Sequence, residues 1–196
     1  MRKFKTDSRL SKITKVVEAR QPSLRVVIEN VHDPHNVSAI FRTCDAVGVP
    51  KVSLLYTLEE FPKISKVTSA SAFKWVEKEK FKNTKECYDE LHKQGFKIYA
   101  SLLNENSVNL YDIDFTEKVA VVMGNESRGV SDEAAELADE TYYIPMRGMI
   151  QSLNVSVATA VTLYEAQRQR VLKGLYNQSE MSEEELNKMI DEWCDK

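Results

Sequence analysis

Residues 144–170, IPMRGMIQSLNVSVATAVTLYEAQRQR, combine an apolar loop with the start of a long helix. Asn154 stands at the helix start, where asparagine is favoured because its side-chain oxygen accepts a hydrogen bond from a free backbone N–H. Four large apolar side chains recur at helical spacing: Leu153, Val157, Val161 and Tyr164. We expect these four side chains to form one apolar face that packs against the core.

The loop in front of this helix, residues 145–152, is a candidate binding site. It is apolar where surface loops are normally polar, and it delivers Ser152 and Asn154 to a helix N-terminus. The backbone N–H groups of a first turn face outward and attract anions or polar ligand atoms. On residue types alone, a plain loop followed by a core helix remains the simpler interpretation. The choice between this interpretation and a binding site depends on motifs elsewhere in the chain.

Composition predicts one α/β domain with appendages. The 196 residues are 42% hydrophobic and 29% charged, as in a globular protein. No apolar run reaches membrane-spanning length, and the N-terminus lacks the apolar core of a signal peptide. Cys44, Cys87 and Cys194 are odd in number and match no zinc spacing, so we expect a reduced, cytoplasmic protein without a structural metal.

Charge is distributed unevenly along the chain. The net charge is −3, yet the first 25 residues contain eight lysines and arginines against two acidic residues. Local charge governs the attraction of a charged partner, so an acidic total does not exclude a basic RNA-binding face. Within the predicted helix at residues 7–20, a solvated docking helix and an RNA-contacting helix remain equally good interpretations.

Alternating apolar runs and helical patterns predict a largely parallel sheet. Strands are expected at residues 24–28, 51–56, 96–102, 119–123 and 141–145. Between them we expect a helix capped by Asn36, an amphipathic helix at residues 83–94 and a short helix capped by Ser131. A last helix begins with the capping box of Ser182 and Glu185, and should dock on the body or on a second subunit.

Several familiar sites are excluded or disfavoured. Gly124 and Gly129 have the spacing of a phosphate-binding loop, but Val130 stands where that motif requires lysine, and no GxGxxG fingerprint is present. Nucleotide triphosphatases and dinucleotide-binding enzymes are therefore disfavoured. His32 and His35 flank Asp-Pro, which indicates a turn rather than a metal site.

Three segments, in order, resemble the signature motifs of the SpoU/TrmH family of RNA ribose methyltransferases. They are NVHDPHNVSAIFRTCDAVGV at 30–49, GNESRGVSDE at 124–133, and the segment 144–170; TSASAFKW at 68–75 resembles the family's segment between strands. The resemblance implies an α/β fold with a sheet flanked by helices and a C-terminal deep trefoil knot. It also implies a basic extension at 1–22, a methyltransferase domain at 23–172 and a helical extension at 173–196.

The resemblance also implies site residues. Those expected in the active site are Asn36, Arg42, Glu126, Ser152 and Asn154. Those expected to contact S-adenosylmethionine are Ser101, Leu102, Gly124, Ile144, Met146, Ser152 and Leu153. Those expected to contact RNA are Arg9, Lys12, Lys15, Arg42 and Arg168. Arg42 would bind a phosphate and stabilise the developing alkoxide, because a guanidinium stays protonated and is a poor base.

The resemblance thus implies methyl transfer from S-adenosylmethionine to a ribose 2′-hydroxyl of RNA by a homodimer. Because related enzymes with short helical ends act on tRNA, guanosine 18 of the D-loop is the expected target. Methylation of ribosomal RNA and an inactive RNA-binding protein are the alternatives. Neither DNA nor a membrane is expected as a partner.

Overall fold

A computed structural model describes residues 2–63 and 72–196. The described strands are β1 (Leu24–Glu29), β2 (Lys51–Leu55), β3 (Glu77–Phe81), β4 (Lys97–Ser101), β5 (Val108–Asn109), β6 (Val119–Met123) and β7 (Glu140–Tyr143). The described α-helices are α1 (Asp7–Glu18), α2 (Pro34–Val47), α3 (Ala72–Trp75), α4 (Thr84–Lys93), α5 (Asp132–Leu137), α6 (Val155–Lys173) and α7 (Glu183–Asp195). Short 3-10 helices cover Arg2–Phe4 and Leu110–Asp112.

The strands form one sheet in the order β3-β2-β1-β6-β4-β7-β5, and every neighbouring pair is parallel. Every residue of the central strands β1 and β6 is buried, because helices cover both faces of the sheet. The predicted parallel α/β fold is confirmed. The carboxyl ends of β1, β4, β6 and β7 meet at one edge, and the loops that follow them build the candidate site.

Strand β3 was not predicted, because Phe81 is the one residue of its sequence EKEKF that is typical of a strand. It lies at the edge of the sheet beside β2. Lysines and glutamates on an edge strand discourage pairing with another chain, which explains charged residues at this position. The short strand β5, at the opposite edge, was also not predicted.

The predicted cap of α2 is wrong. Asp33 is the N-cap, and its side chain accepts a hydrogen bond from the backbone N–H of His35 at 2.8 Å. Pro34 then occupies the first turn, where its fixed φ and missing N–H fit a helix start. Asn36 therefore lies inside the helix, and its buried side chain is available for other contacts. The predicted caps Asn154, Ser131 and Ser182 are confirmed.

The predicted buried face of α6 is confirmed at Val161, which packs against the core, but is wrong at Val157 and Tyr164. Val157 is 47% exposed and Tyr164 is 53% exposed. The face that packs inward contains Val155, Thr159, Thr162, Leu163, Ala166 and Arg170. Threonine can be buried here because its hydroxyl is hydrogen-bonded: Thr159 donates to the carbonyl of Val155 at 2.7 Å, and Thr162 lies 3.1 Å from the hydroxyl of Tyr142.

The two ends of the chain pack on each other. Ile13 and Val17 of α1 form a small cluster with Ile190, Trp193 and Cys194 of α7. Arg2 adds hydrogen bonds to Asn187 and Asp191. The C-terminal helix therefore docks on the body through α1, as one of the two expected possibilities.

The segment TSASAFKW is only partly described, since residues 68–71 lie outside the described ranges. Its end forms α3, where Phe73 stacks on Phe41 of α2 with ring centroids 4.1 Å apart.

The knot and the division into three domains stay predictions. Among the described residues, no helix is both long and apolar enough to span a membrane.

Candidate active site

A cavity of about 640 Å³ lies at the carboxyl ends of β4, β6 and β7. Ligand sites of parallel sheets are usual at this edge, because the loops that follow the strands converge there. The loop between β7 and α6 closes one side, with Ile144, Met146 and Leu153 in the wall. All seven residues expected to contact the cofactor, from Ser101 to Leu153, line this cavity.

The turn after β6 forms part of the cavity wall. Asn125 and Gly129 pair through two backbone hydrogen bonds of 2.8 and 2.9 Å, and Gly129 adopts a φ of 71°. A Cβ atom on Gly124 would lie 2.2 Å from the carbonyl carbon of Gly129, so only glycine fits there. The glycine at position 124 is therefore required by a tight backbone approach.

Glu126 extends from this turn to the loop after β1. Its carboxylate accepts hydrogen bonds from the backbone N–H groups of His32, at 3.1 Å, and Asp33, at 3.0 Å. It also accepts one from Nδ2 of Asn36 at 3.0 Å. Glu126 thus holds the β1–α2 loop against the β6–α5 turn.

Asn36 connects this pair to the third segment. Its Oδ1 accepts a hydrogen bond from Nδ2 of Asn154 at 3.1 Å, while Oδ1 of Asn154 accepts from the N–H of Ser156 as the cap of α6. Glu126, Asn36 and Asn154 therefore form a hydrogen-bonded chain that joins the turn after β6, the first turn of α2 and the start of α6, which are distant in sequence. Each belongs to a different one of the three segments singled out in the sequence.

The hydrogen bonds of Glu126 keep it ionised. Partial burial raises the pKa of the carboxyl group, but donation from Asn36 and from the backbone N–H groups of His32 and Asp33 outweighs this effect. The net result is a pKa below the ordinary value of a glutamate. At neutral pH the cavity rim therefore carries a fixed negative charge.

Two residues that support this site were not predicted. Asn30 is buried with a left-handed φ of 48°; its Oδ1 accepts from the N–H groups of Thr57 and Leu58, and its carbonyl accepts from Nδ2 of Asn125 at 2.7 Å. Tyr142 lies under the cavity, and burial raises its pKa to about 12. The Asn-rich turn after β1 was a usable signal for Asn30, since asparagine tolerates this conformation.

The other predicted site residues lie apart from this chain of hydrogen bonds. Arg42 is exposed on α2, does not line the cavity and has no hydrogen-bond partner among the described residues. Ser152 is exposed and lines the cavity, also without a partner in the described part of the chain. Arg168 forms two 2.8 Å contacts with Glu165. The predicted RNA-contacting residues Arg9, Lys12 and Lys15 are exposed on α1, and none lines the cavity.

The three segments lie within, or overlap, one match to a known protein family. The model of the SpoU rRNA Methylase family matches residues 23–164, which include the first two segments in full and the third as far as Tyr164. This chain belongs to the SpoU rRNA methylase family. The match begins at β1 and ends within α6, so it includes the whole hydrogen-bonded chain from Glu126 to Asn154.

Two related proteins are similar over nearly the full length of this chain, and a third over about four fifths of it. The tRNA (guanosine(18)-2′-O)-methyltransferase of Thermus thermophilus is 44% identical over 192 residues, covering 98% of both chains. The crystal structure of the A. aeolicus TrmH/SpoU tRNA modifying enzyme has a TM-score of 0.89 at 45% identity, covering 95% of each chain. The methyltransferase AviRb from Streptomyces viridochromogenes, solved with the cofactor AdoMet, has a TM-score of 0.69 at 25% identity, covering 79% of this chain and 62% of its own.

Proposed function

We propose that this chain transfers a methyl group from S-adenosylmethionine to the ribose 2′-hydroxyl of guanosine 18 in the tRNA D-loop. The observation that carries the proposal is the hydrogen-bonded chain of Glu126, Asn36 and Asn154, in which Glu126 lines a cavity built by the loops after β4, β6 and β7. Membership of the SpoU family and the similarity to tRNA methyltransferases over nearly the whole chain support the choice of substrate.

The cavity fits the methyl donor. Its wall combines apolar side chains, such as Leu102, Ile144 and Met146, with polar ones, such as Asn125 and Ser127. Such a lining suits the adenine and ribose of the donor. When bound, S-adenosylmethionine supplies a methyl group carried on a sulfonium cation, and the ionised Glu126 at the rim is of the opposite charge.

The protein's own residues would position the ribose and stabilise the reacting oxygen. Asn36 uses one N–H and one lone pair within the site, so a second N–H and a second lone pair remain for the ribose. Arg42, with no partner among the described residues, is free to bind the adjacent phosphate. Its permanent charge would stabilise the negative charge that develops on the 2′-oxygen.

The function is tested by incubating the protein with labelled S-adenosylmethionine and total tRNA, and then mapping the methylated nucleotide. Labelling confined to the 2′-oxygen of a D-loop guanosine supports the proposal. Labelling of ribosomal RNA but not tRNA would support the first alternative. Donor binding without transfer to either RNA would indicate an inactive RNA-binding protein.

Calorimetry should detect one donor-binding site per chain in this cavity. Leu153→Lys should weaken binding of S-adenosylmethionine at least about tenfold, or about 1.4 kcal/mol, because it places a second cation beside the sulfonium. Leu137→Lys is the matched control, since Leu137 is 40% exposed on α5 and does not line the cavity. Equal affinities of the two variants would place the donor elsewhere, and binding of NAD instead would contradict the proposal.

We also propose that the active form is a homodimer. Val157, Tyr164 and Val171 recur every seven residues along α6 and are 47%, 53% and 57% exposed, so they form an apolar stripe that residues 2–63 and 72–196 leave uncovered. Met149 and Ile150 in the preceding loop are 99% and 64% exposed. Exposed apolar surface of this extent usually marks an interface, and a second copy of α6 offers a matching stripe.

Sedimentation should detect this dimer and its loss. The double variant Val157→Glu, Tyr164→Glu should be monomeric at concentrations where the unaltered protein is dimeric, because burying two carboxylates without partners is unfavourable. Leu137→Glu changes an exposed leucine outside the stripe and should remain dimeric. A double variant that stays dimeric would assign the interface to another surface.

RNA would reach the site along the basic helix α1. Arg9, Lys12 and Lys15 are exposed there and can neutralise phosphates, whereas Arg168 must first break its ion pair with Glu165.

We place the reaction in the cytoplasm, since the three cysteines are free thiols.

A further inference from the structure

A second groove, of about 300 Å³, lies between α1 and both tryptophans of the chain. It shares no lining residue with the candidate active site. One wall is a stripe of α1 at helical spacing, formed by Arg9, Lys12, Ile13 and Val16. Trp75 at the end of α3 and Trp193 of α7 form the other wall. The groove therefore has an apolar interior and a cationic rim.

The two indole rings have different surroundings. Trp193 is only 5% exposed and belongs to the cluster that joins α1 to α7. Trp75 is half-buried, with its ring centroid 4.7 Å from that of Trp193. The Arg9 guanidinium lies 5.8 Å from the centre of the Trp75 ring, and the Lys196 ammonium lies 5.9 Å from it. Trp75 thus leaves part of its aromatic ring exposed in the groove, with Arg9 and Lys196 beside it.

The charge of the groove is positive. Asp45 is the one carboxylate among its lining residues, and it is paired with the buried Arg20. Arg9 and Lys12 form no ion pair within the described part of the chain. Their charges are therefore available to an anionic ligand.

We propose that this groove binds one unpaired nucleotide of the substrate RNA, with its base stacked on Trp75 and its phosphate on Arg9 and Lys12. An indole that offers a stacking surface beside arginine and lysine is the arrangement by which proteins bind single-stranded nucleic acid. A paired base is already stacked within its duplex and cannot enter. The inference rests on the proposed function for the identity of the RNA, and it adds a contact outside the catalytic cavity.

Intrinsic fluorescence reports on this groove directly, because the chain contains only two tryptophans and both line it. The full-length protein is titrated with a single-stranded RNA pentamer, with an abasic strand of the same length and with a duplex. The pentamer should change the fluorescence and bind about tenfold more tightly than the abasic strand, the scale of one base–aromatic stack. Equal binding of all three would overturn the proposal.

Variants separate stacking from charge. Trp75→Leu should abolish the preference for the pentamer over the abasic strand, while Trp75→Phe should keep most of it. Lys12→Ala should weaken binding of both the pentamer and the abasic strand. In a chain that also carries Trp75→Phe, where Trp193 is the remaining tryptophan, it should reduce the fluorescence change. Lys15 is an exposed cation of α1 outside the groove. Lys15→Ala should therefore lower the affinity for the pentamer and for the abasic strand by the same factor. An unchanged preference in Trp75→Leu would overturn the stacking assignment.

Methyl transfer distinguishes this inference from the proposed function. Trp75→Leu should raise the KM for tRNA about tenfold and leave kcat and the affinity for S-adenosylmethionine unaltered. If the unaltered protein transfers no methyl group to tRNA, the proposed function is wrong, whatever the groove binds. If the unaltered protein is active and Trp75→Leu has the same KM for tRNA, only the proposal for the groove is wrong. Melting temperatures of both Trp75 variants control for damage to the α1–α7 cluster.

Discussion

Replacing Arg42 with alanine is expected to slow methyl transfer at least about a hundredfold, the scale of losing one group that stabilises charge in the transition state. The variant should fold normally, because Arg42 is exposed and the neighbouring Phe41 makes the core contact with Phe73. Donor affinity should be unaltered, because Arg42 does not line the cavity. The measurement is the single-turnover rate at saturating donor and tRNA.

Two further variants test the role assigned to Arg42. Arg42→Lys should recover little activity, because an ammonium cannot reproduce the planar, bidentate geometry of a guanidinium. Lys93→Ala removes an exposed cation at the end of α4, away from the cavity lining, and should retain the full rate. A near-normal rate in Arg42→Ala, with an unchanged melting temperature, would make Arg42 an ordinary surface cation and would reject this active-site assignment.

The second large effect is expected at Gly124, where alanine should destabilise the fold by more than about 3 kcal/mol. The added Cβ would lie 2.2 Å from the backbone of both Gly129 and Val130, and backbone atoms cannot rotate away as a side chain can. For a chain of this size, the melting temperature should fall by roughly 6 °C or more. Donor binding should be lost with it, because the displaced turn forms part of the cavity wall.

The other glycines provide graded controls for this experiment. Gly129 has a φ of 71° and open space around its Cβ position, so Gly129→Ala should cost only about 1 kcal/mol of backbone strain. Gly148 lies in the loop beside the cavity, with no positive φ and nothing within 4 Å, and Gly148→Ala should change stability by less than about 0.5 kcal/mol. A Gly124→Ala protein as stable as Gly148→Ala would mean that the turn has another conformation.

Sequence reasoning located the parts of the candidate site but not their connections. Asn36, Glu126 and Asn154 were singled out by resemblance, and the hydrogen bonds that join them cross separations of 90 and 118 residues. No local pattern encodes such contacts. Asn36 was expected to be a helix cap, and its true role depends on Asp33 and Pro34 starting α2 earlier. Asn30 and Tyr142 were not predicted, because each acts through neighbours from other elements.

The amino-acid sequence by itself determined the parallel α/β arrangement and most helix boundaries. Continuous apolar runs such as VAVVM at 119–123 require burial on both faces, and caps such as Asn154 and Ser182 act within a few residues. Only the tertiary structure decided which face of α6 is buried, that EKEKF joins the sheet, and that the two ends of the chain pack together. These outcomes depend on partners distant in sequence: Thr162 can be buried because the hydroxyl of Tyr142 is beside it, while Val157 and Tyr164 are left exposed.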